Sequence, residues 1–137
     1  KTGNEFGSTT GRPRRCGWID LPALKYAIMI NGVTQLFMMK ADVLSVFSEI
    51  KVCTHYKLPN GDLTEQIPFD ITGLVVEPVY KVFKGWNKNI ENLTETDFPV
   101  ELSGYVDFLE KNLGAPISLI SFGPNRTQTL IRDKQLA

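Results

Sequence analysis

Residues able to bind an anion are concentrated near the start of the sequence. Residues 8–10 are Ser-Thr-Thr between Gly7 and Gly11, and residues 12–15 are Arg-Pro-Arg-Arg. Glycine permits backbone conformations in which consecutive N–H groups turn toward one ligand, and the hydroxyl groups add further donors. Guanidinium groups pair with carboxylates or phosphates through two parallel hydrogen bonds, while Pro13 fixes the backbone between two of them. The pattern therefore predicts a loop that binds one or more anions.

The same arginines are compatible with a second class of function, in which Arg12 to Arg15 form an arm that binds nucleic acid. Gly11-Arg12-Pro13 resembles the core of an AT-hook, an arm that lies in the minor groove of DNA. The formal net charge is zero, from 15 basic and 15 acidic residues, whereas nucleic-acid-binding domains generally carry a basic excess. Residues 16–19 also lead directly into an apolar stretch, while AT-hooks lie in flexible tails. We keep this function as the alternative hypothesis.

The composition is that of an ordinary globular protein, with 42% hydrophobic and 22% charged residues among 137. This length predicts one domain over 1–137 with enough chain to bury a core. No apolar run approaches the about 18 residues that span a bilayer, and no signal peptide is found, so we expect no membrane association and a cytoplasmic location. Cys16 and Cys53 have no Cys or His at metal-ligand spacing, which predicts reduced thiols and no metal site. Because the anion loop lies so close to the first residue, we expect a fragment of a longer protein.

Apolar periodicity predicts two helices. The first covers 21–30, with Asp20 as its N-cap and Gly32 at its carboxyl end. The second covers 101–113, where apolar residues recur at i, i+3 and i+4, and Gly114 follows it. This spacing places one apolar stripe of each helix against a core.

Apolar runs predict strands over 33–39, 49–58, 63–67, 74–83, 117–120 and 129–131. Asn60-Gly61 joins two of them as a tight antiparallel hairpin. Pro78 assigns its strand to a sheet edge or a bulge, because proline cannot donate to a strand ladder. The polar residues 84–99 are predicted to form a surface connection. The elements together indicate an α/β fold, with a mixed sheet, an antiparallel hairpin and flanking helices.

Two of the predicted strands end in polar triplets, Lys40-Ala41-Asp42 and Ser121-Phe122-Gly123. Ligands of open α/β sheets bind at the carboxyl ends of the strands. A lysine and an aspartate at this spacing resemble the base-reading motif of GTP-binding proteins. The chemistry suits guanine, because one carboxylate can accept hydrogen bonds from both its ring N–H and its exocyclic amine. The lysine stem can lie along the purine face. Each triplet alone is also compatible with a surface turn, but both together with an anion loop favour a nucleotide site.

Four segments make the sequence similar to the adenylosuccinate synthetase family. They read GSTTGRPRRCGWID at 7–20, MKADVL at 39–44, EPVY and GW within 77–86, and ISFGPNR at 120–126. Their order and spacing match over nearly the whole chain. The resemblance covers only the C-terminal third of the enzymes in this family. It therefore implies that the chain is the C-terminal part of a larger nucleotide-binding enzyme.

The resemblance implies a GTP-dependent carbon–nitrogen ligase of AMP biosynthesis. Such enzymes join IMP to L-aspartate and give adenylosuccinate, GDP and phosphate, with Mg²⁺ as cofactor. A phosphoryl group moves from GTP to the 6-oxygen of IMP, and the aspartate amine then displaces it. The family's catalytic residues and magnesium ligands belong to its N-terminal part, so none is expected here and the isolated fragment should be inactive. The full-length enzyme is expected to be a homodimer.

Site residues are carried over from the same resemblance. The segment 1–18 holds the substrate loop, and 33–137 includes the guanine-binding strand ends. Arg12 would also contact IMP. The residues expected to bind aspartate are Ser8, Thr9, Thr10, Gly11, Arg12, Pro13 and Arg14. Those expected to bind GTP are Arg14, Lys40, Ala41, Asp42, Ser121, Phe122 and Gly123.

Overall fold

The computed structural model describes residues 3, 5–90 and 97–132. They form two helices, a 3₁₀ helix and seven strands in two small sheets, which confirms the mixed α/β class but divides the predicted sheet in two. In chain order the elements are β1 (Ile19–Asp20), α1 (Leu21–Asn31), β2 (Leu36–Met38), the 3₁₀ helix (Ala41–Val46), β3 (Glu49–Lys57), β4 (Leu63–Thr64), β5 (Glu77–Lys84), α2 (Val100–Leu113), β6 (Ile117–Ser121) and β7 (Thr129–Ile131).

The first sheet is built around β3, which pairs with β1 in parallel and with β4 and β5 in antiparallel directions. The predicted hairpin is confirmed: Leu58 N donates to Asp62 O at 2.8 Å, and Gly61 has φ 91°. The returning strand is shorter than 63–67, because Gln66 N donates to Thr64 Oγ1 at 3.0 Å and turns the chain. Within the described residues β5 pairs only with β3, so it is the edge strand that its proline predicts.

The second sheet has β6 at its centre, parallel to β2 and antiparallel to β7. The strand predicted over 33–39 is only three residues long. Its start is shortened because Val33 N donates to Ile28 O of α1 at 3.1 Å. Its end is fixed by Lys40, whose positive φ of 59° is incompatible with an extended strand.

Both predicted helices are present, with the predicted caps. Asp20 Oδ1 accepts from Ala23 N at 3.1 Å, and Gly32 ends α1 in the left-handed conformation. Gly114 ends α2 in the same way, with φ 66°. The predicted apolar stripe of α2 is buried throughout, at Leu102, Tyr105, Val106, Leu109 and Leu113.

The prediction that 84–99 is a surface connection is wrong at Lys84, which ends β5, and at the buried residues Gly85, Trp86 and Ile90. Trp86 and Ile90 are buried in the core, 6% and 1% exposed, together with Ile50 of β3 and the stripe of α2. The stretch is polar on average, but Trp86 and Ile90, four residues apart, are apolar and pack into the core. Residues 91–96, which are part of the same prediction, lie outside the described residues.

Candidate functional site

The two polar triplets lie side by side at one edge of the second sheet. Because β2 and β6 are parallel neighbours with Met38 opposite Ile120, Lys40 and Phe122 each lie two residues beyond a paired position. Neighbouring strands are about 4.8 Å apart. The topology thus brings together the strand ends that the sequence singled out.

Asp42 presents a buried hydrogen-bond acceptor. Its Oδ1 atom is buried and lacks a partner among the residues that the structure describes. Asp42 lies in the first turn of the 3₁₀ helix, directly after the fully buried Ala41. A cavity of about 270 Å³ opens beside it, lined in part by Ser45, Asn87 and Lys88. A buried acceptor without a donor costs free energy, and a bound N–H group would remove that cost.

The second triplet is held by Gln128. Phe122, which is 1% exposed, donates its N–H to Gln128 O at 3.0 Å, and Ser121 Oγ donates to Gly123 O at 3.2 Å. Gln128 Oε1 also accepts from Asn125 N at 3.0 Å. A Cβ atom on Gly123 would overlap the Gln128 side-chain amide, so a larger residue there would displace that side chain. The sequence analysis missed Gln128, because a single glutamine in a polar tail carries no local pattern.

The predicted anion loop, residues 7–15 and hereafter the arginine loop, is folded as a small hairpin. Phe6 pairs with Pro13 in an antiparallel bridge, and Gly7 N donates to Arg12 O at 2.8 Å. Gly11 turns the chain with φ 63°, a conformation that glycine adopts without strain. The side chains of residues 8–15 are exposed, so their hydroxyl and guanidinium groups are accessible to a ligand.

Glu5 connects the arginine loop to the first triplet. Its two carboxylate oxygens pair with different cations: Oε1 accepts from Lys40 Nζ, and Oε2 lies 3.6 Å from Arg14 Nη1. Lys40 Nζ also donates to Gly3 O at 2.8 Å. The hydrogen bond and the charge of Lys40 lower the pKa of Glu5, with a smaller contribution from Arg14. Sequence reasoning missed Glu5, because its partners are far apart in the chain.

A larger cleft of about 520 Å³ lies between residues 16–19 and β2, and its lining is mostly apolar. Trp18, Leu36 and Met38 form part of its wall. Among the described lining residues its only carboxylate is Glu5, which is already paired with Lys40 and Arg14. Within the described residues, the smaller cavity therefore has an unpaired carboxylate oxygen, Asp42 Oδ1, that the larger cleft lacks.

Other reactive side chains have structural partners. His55 Nε2 lies 3.2 Å from Glu65 Oε1. Lys25 of α1 pairs with the other oxygen of the same carboxylate, Oε2. Cys16 and Cys53 are free thiols, as predicted. Over 3, 5–90 and 97–132, no three His, Cys, Asp or Glu side chains converge. In the same residues no helix is long and apolar enough to cross a membrane.

Comparison with known proteins gives one consistent result. The sequence profile of the family described as "Adenylosuccinate synthetase" matches residues 1–130. The adenylosuccinate synthetase of Cytophaga hutchinsonii is 60% identical over 134 residues, covering 97% of this chain and 31% of the relative. That of Christiangramia forsetii is 54% identical over 133 residues, covering 96% of this chain and 31% of the relative.

A solved structure agrees with the sequence relatives. The fully ligated adenylosuccinate synthetase of Plasmodium falciparum superposes with a TM-score of 0.89 at 37% identity, covering 96% of this chain and 32% of that protein. The chain therefore spans about a third of the length of the relatives that it matches. The alternative hypothesis of a nucleic-acid-binding arm finds no support in these comparisons.

Proposed function

Because the chain belongs to the adenylosuccinate synthetase family, we propose that the intact protein joins IMP to L-aspartate with GTP, forming adenylosuccinate, GDP and phosphate. This segment supplies the guanine pocket and the aspartate loop. It is inactive alone, and the intact enzyme is a cytoplasmic homodimer that requires Mg²⁺. The observation that carries the proposal is the pairing of two strand ends beside a buried carboxylate oxygen that has no donor among the described residues.

Guanine recognition follows from the acceptor on Asp42. The ring N–H and the exocyclic amine of guanine are adjacent donors that one carboxylate can accept together. Adenine has no ring N–H at this edge, so it leaves the buried acceptor unpaired, and a site of this kind rejects the wrong base by the cost of that unpaired group. The Lys40 stem covers the purine face, while Ala41 and the loop Ser121-Phe122-Gly123 complete the pocket.

The arginine loop positions the second substrate. Arg12 and Arg14 meet the two carboxylates of aspartate, helped by the hydroxyl groups of Ser8, Thr9 and Thr10. Arg12 also contacts IMP, and Arg14 also approaches GTP. Guanidinium groups stay charged at every working pH, so these arginines hold the substrate and do not transfer its protons. Gly11 and Pro13 set the loop's shape, which keeps the amine close to its target carbon.

Magnesium and the groups that activate IMP come from the rest of the enzyme in this proposal. The described residues of this segment contain no cluster of three or more carboxylate, imidazole or thiolate side chains. The direct test is to assay GTP-dependent adenylosuccinate formation with the purified segment. Turnover above that of a heat-denatured sample would refute the division of roles.

The guanine assignment is tested by exchanging Asp42 for asparagine in the intact enzyme. Asparagine keeps one acceptor for the ring N–H but turns a donor toward the exocyclic position. Xanthosine triphosphate carries a carbonyl there, so Asp42→Asn should shift preference from GTP toward this nucleotide by about tenfold to a hundredfold. The measurement is the ratio of kcat/KM for the two nucleotides. An unchanged ratio would show that Asp42 does not read the base.

A matched control is Asp62→Asn, an exposed aspartate in the turn between β3 and β4. It removes the same charge at a position that the proposal does not use. Its nucleotide ratio should equal that of the wild type.

A further inference from the structure

The pair Gly85-Trp86 has no role in the proposed chemistry, yet it is tightly bound to the element that carries Asp42. Trp86 is 6% exposed, and its Nε1 donates to Ser45 Oγ at 2.8 Å. Gly85 N donates to Ser48 O at 2.8 Å. A Cβ atom at position 85 would overlap the carbonyl oxygen of Phe47. The two residues therefore hold the 3₁₀ helix at its last turn and just beyond it.

Ser45 and Asp42 lie on one face of that helix. A 3₁₀ helix has three residues per turn, so side chains at i and i+3 are eclipsed. Both residues line the cavity of about 270 Å³. The hydrogen bond from Trp86 therefore holds the residue one turn beyond the proposed base-reading carboxylate.

The helix is packed against the core by the fully buried Ala41 and by Leu44, and Trp86 adds a polar contact near its carboxyl end. Its N-cap residue, Lys40, makes no side-chain hydrogen bond to the helix backbone, and the hydrogen-bond geometry of 3₁₀ helices is poorer than that of α-helices. The indole of Trp86, in contrast, packs against Tyr105 of α2 with ring centroids 6.0 Å apart. Through this contact Trp86 links the last turn of the helix to α2.

We infer that Trp86 and Ser45 are positioning residues for base recognition, which hold the Asp42 carboxylate at the angle needed to accept both guanine donors. The inference rests on the proposed function. A carboxylate that rotates can still accept one donor, but it loses the second. The pair should therefore matter most for a nucleotide that offers two donors.

The experiment compares GTP with inosine triphosphate, which keeps the ring N–H and lacks the exocyclic amine. In the intact enzyme, Ser45→Ala removes the acceptor and Trp86→Phe removes the donor while keeping an aromatic ring. Each change should lower kcat/KM for GTP by about threefold to tenfold, the effect of one misaligned hydrogen bond. The value for inosine triphosphate should change by less than twofold, and the KM values for IMP and aspartate should stay unchanged.

Two controls separate positioning from general support. Ser45→Thr keeps the hydroxyl group and should keep the wild-type ratio between the two nucleotides. Tyr105→Phe removes a polar atom from a buried ring that touches the same indole, and it should also leave the ratio unchanged. If Trp86→Phe does not yield folded enzyme, Ser45→Ala alone decides the outcome.

The outcomes distinguish the two levels of the proposal. If the wild type prefers GTP and Ser45→Ala lowers activity with both nucleotides equally, the positioning role is refuted and the guanine site stands. If the wild type makes no adenylosuccinate with GTP, the proposed function fails, and the inference fails with it.

Discussion

Asp20 performs two structural tasks, so its removal should be unusually costly. Its Oδ1 caps α1 by accepting from Ala23 N at 3.1 Å, and its Oδ2 accepts from the hydroxyl of Tyr56 at 2.5 Å. Tyr56 is 5% exposed and is the penultimate residue of β3. Asp20→Ala deletes the cap and leaves a buried hydroxyl group without its acceptor.

The two losses can be estimated separately. Removing an N-cap typically costs about 1 kcal/mol. Leaving a buried donor unsatisfied costs about 1–3 kcal/mol more. We therefore expect Asp20→Ala to lower the free energy of unfolding by about 2–4 kcal/mol. In a Tyr56→Phe background the hydroxyl is already absent, so the same substitution should cost only the cap, about 1 kcal/mol.

Urea unfolding of the four combinations measures this difference. Trp18, whose ring meets Phe47 edge-on at 5.1 Å, provides a fluorescence probe two residues before Asp20. Asp62→Ala serves as the control, since an exposed aspartate should cost no more than about 0.5 kcal/mol. If Asp20→Ala costs the same with and without the Tyr56 hydroxyl, the hydrogen bond to Tyr56 contributes nothing to stability and the reasoning is wrong.

Three further predictions concern the loop, the core and the second triplet. Arg14→Lys in the intact enzyme should raise the KM for aspartate about tenfold to a hundredfold and that for IMP far less, because lysine keeps the charge but loses the paired hydrogen bonds; equal effects on all three substrates would place Arg14 elsewhere. Burial raises the pKa of Tyr105 to about 12, so the stability that its neutral form contributes is complete below pH about 10 and is lost as the pH rises toward 12. Urea unfolding of the chain should therefore show a decline with pH that Tyr105→Phe flattens, and an identical decline in that variant would contradict the cause. Gly123→Ala should raise the KM for GTP severalfold by displacing the Gln128 amide, and adding Gln128→Ala should recover part of the loss; a double variant no better than the single one would exclude the clash.

Local patterns in the sequence predicted the elements whose cause is local. The stripe of α2 and the caps at Asp20 and Gly32 follow from spacing and backbone conformation within one or two turns, and all are present. The meeting of the two triplets depended on one further rule, that parallel strands end at the same edge. That rule was sufficient because β2 and β6 are direct neighbours.

The missing parts depend on contacts between distant residues. Glu5 pairs with Lys40 across 35 positions, and Trp86 donates to Ser45 across 41. No window of sequence contains both members of either pair. The burial of Trp86 and Ile90 was missed for the same reason, because the residues that cover them come from other elements.

The backbone at Lys40 places two selective pressures in conflict. Its φ of 59° lies in the region where a side chain costs roughly 1–2 kcal/mol and glycine costs nothing. Lys40→Gly would therefore relieve local strain while deleting both the ammonium group and the stem proposed to cover the base. A library of variants at position 40 that is screened for thermal stability should be enriched in glycine. The same library, selected for growth that depends on the enzyme's activity with GTP, should retain lysine. Selection for stability and selection for catalytic activity should therefore favour different residues at position 40.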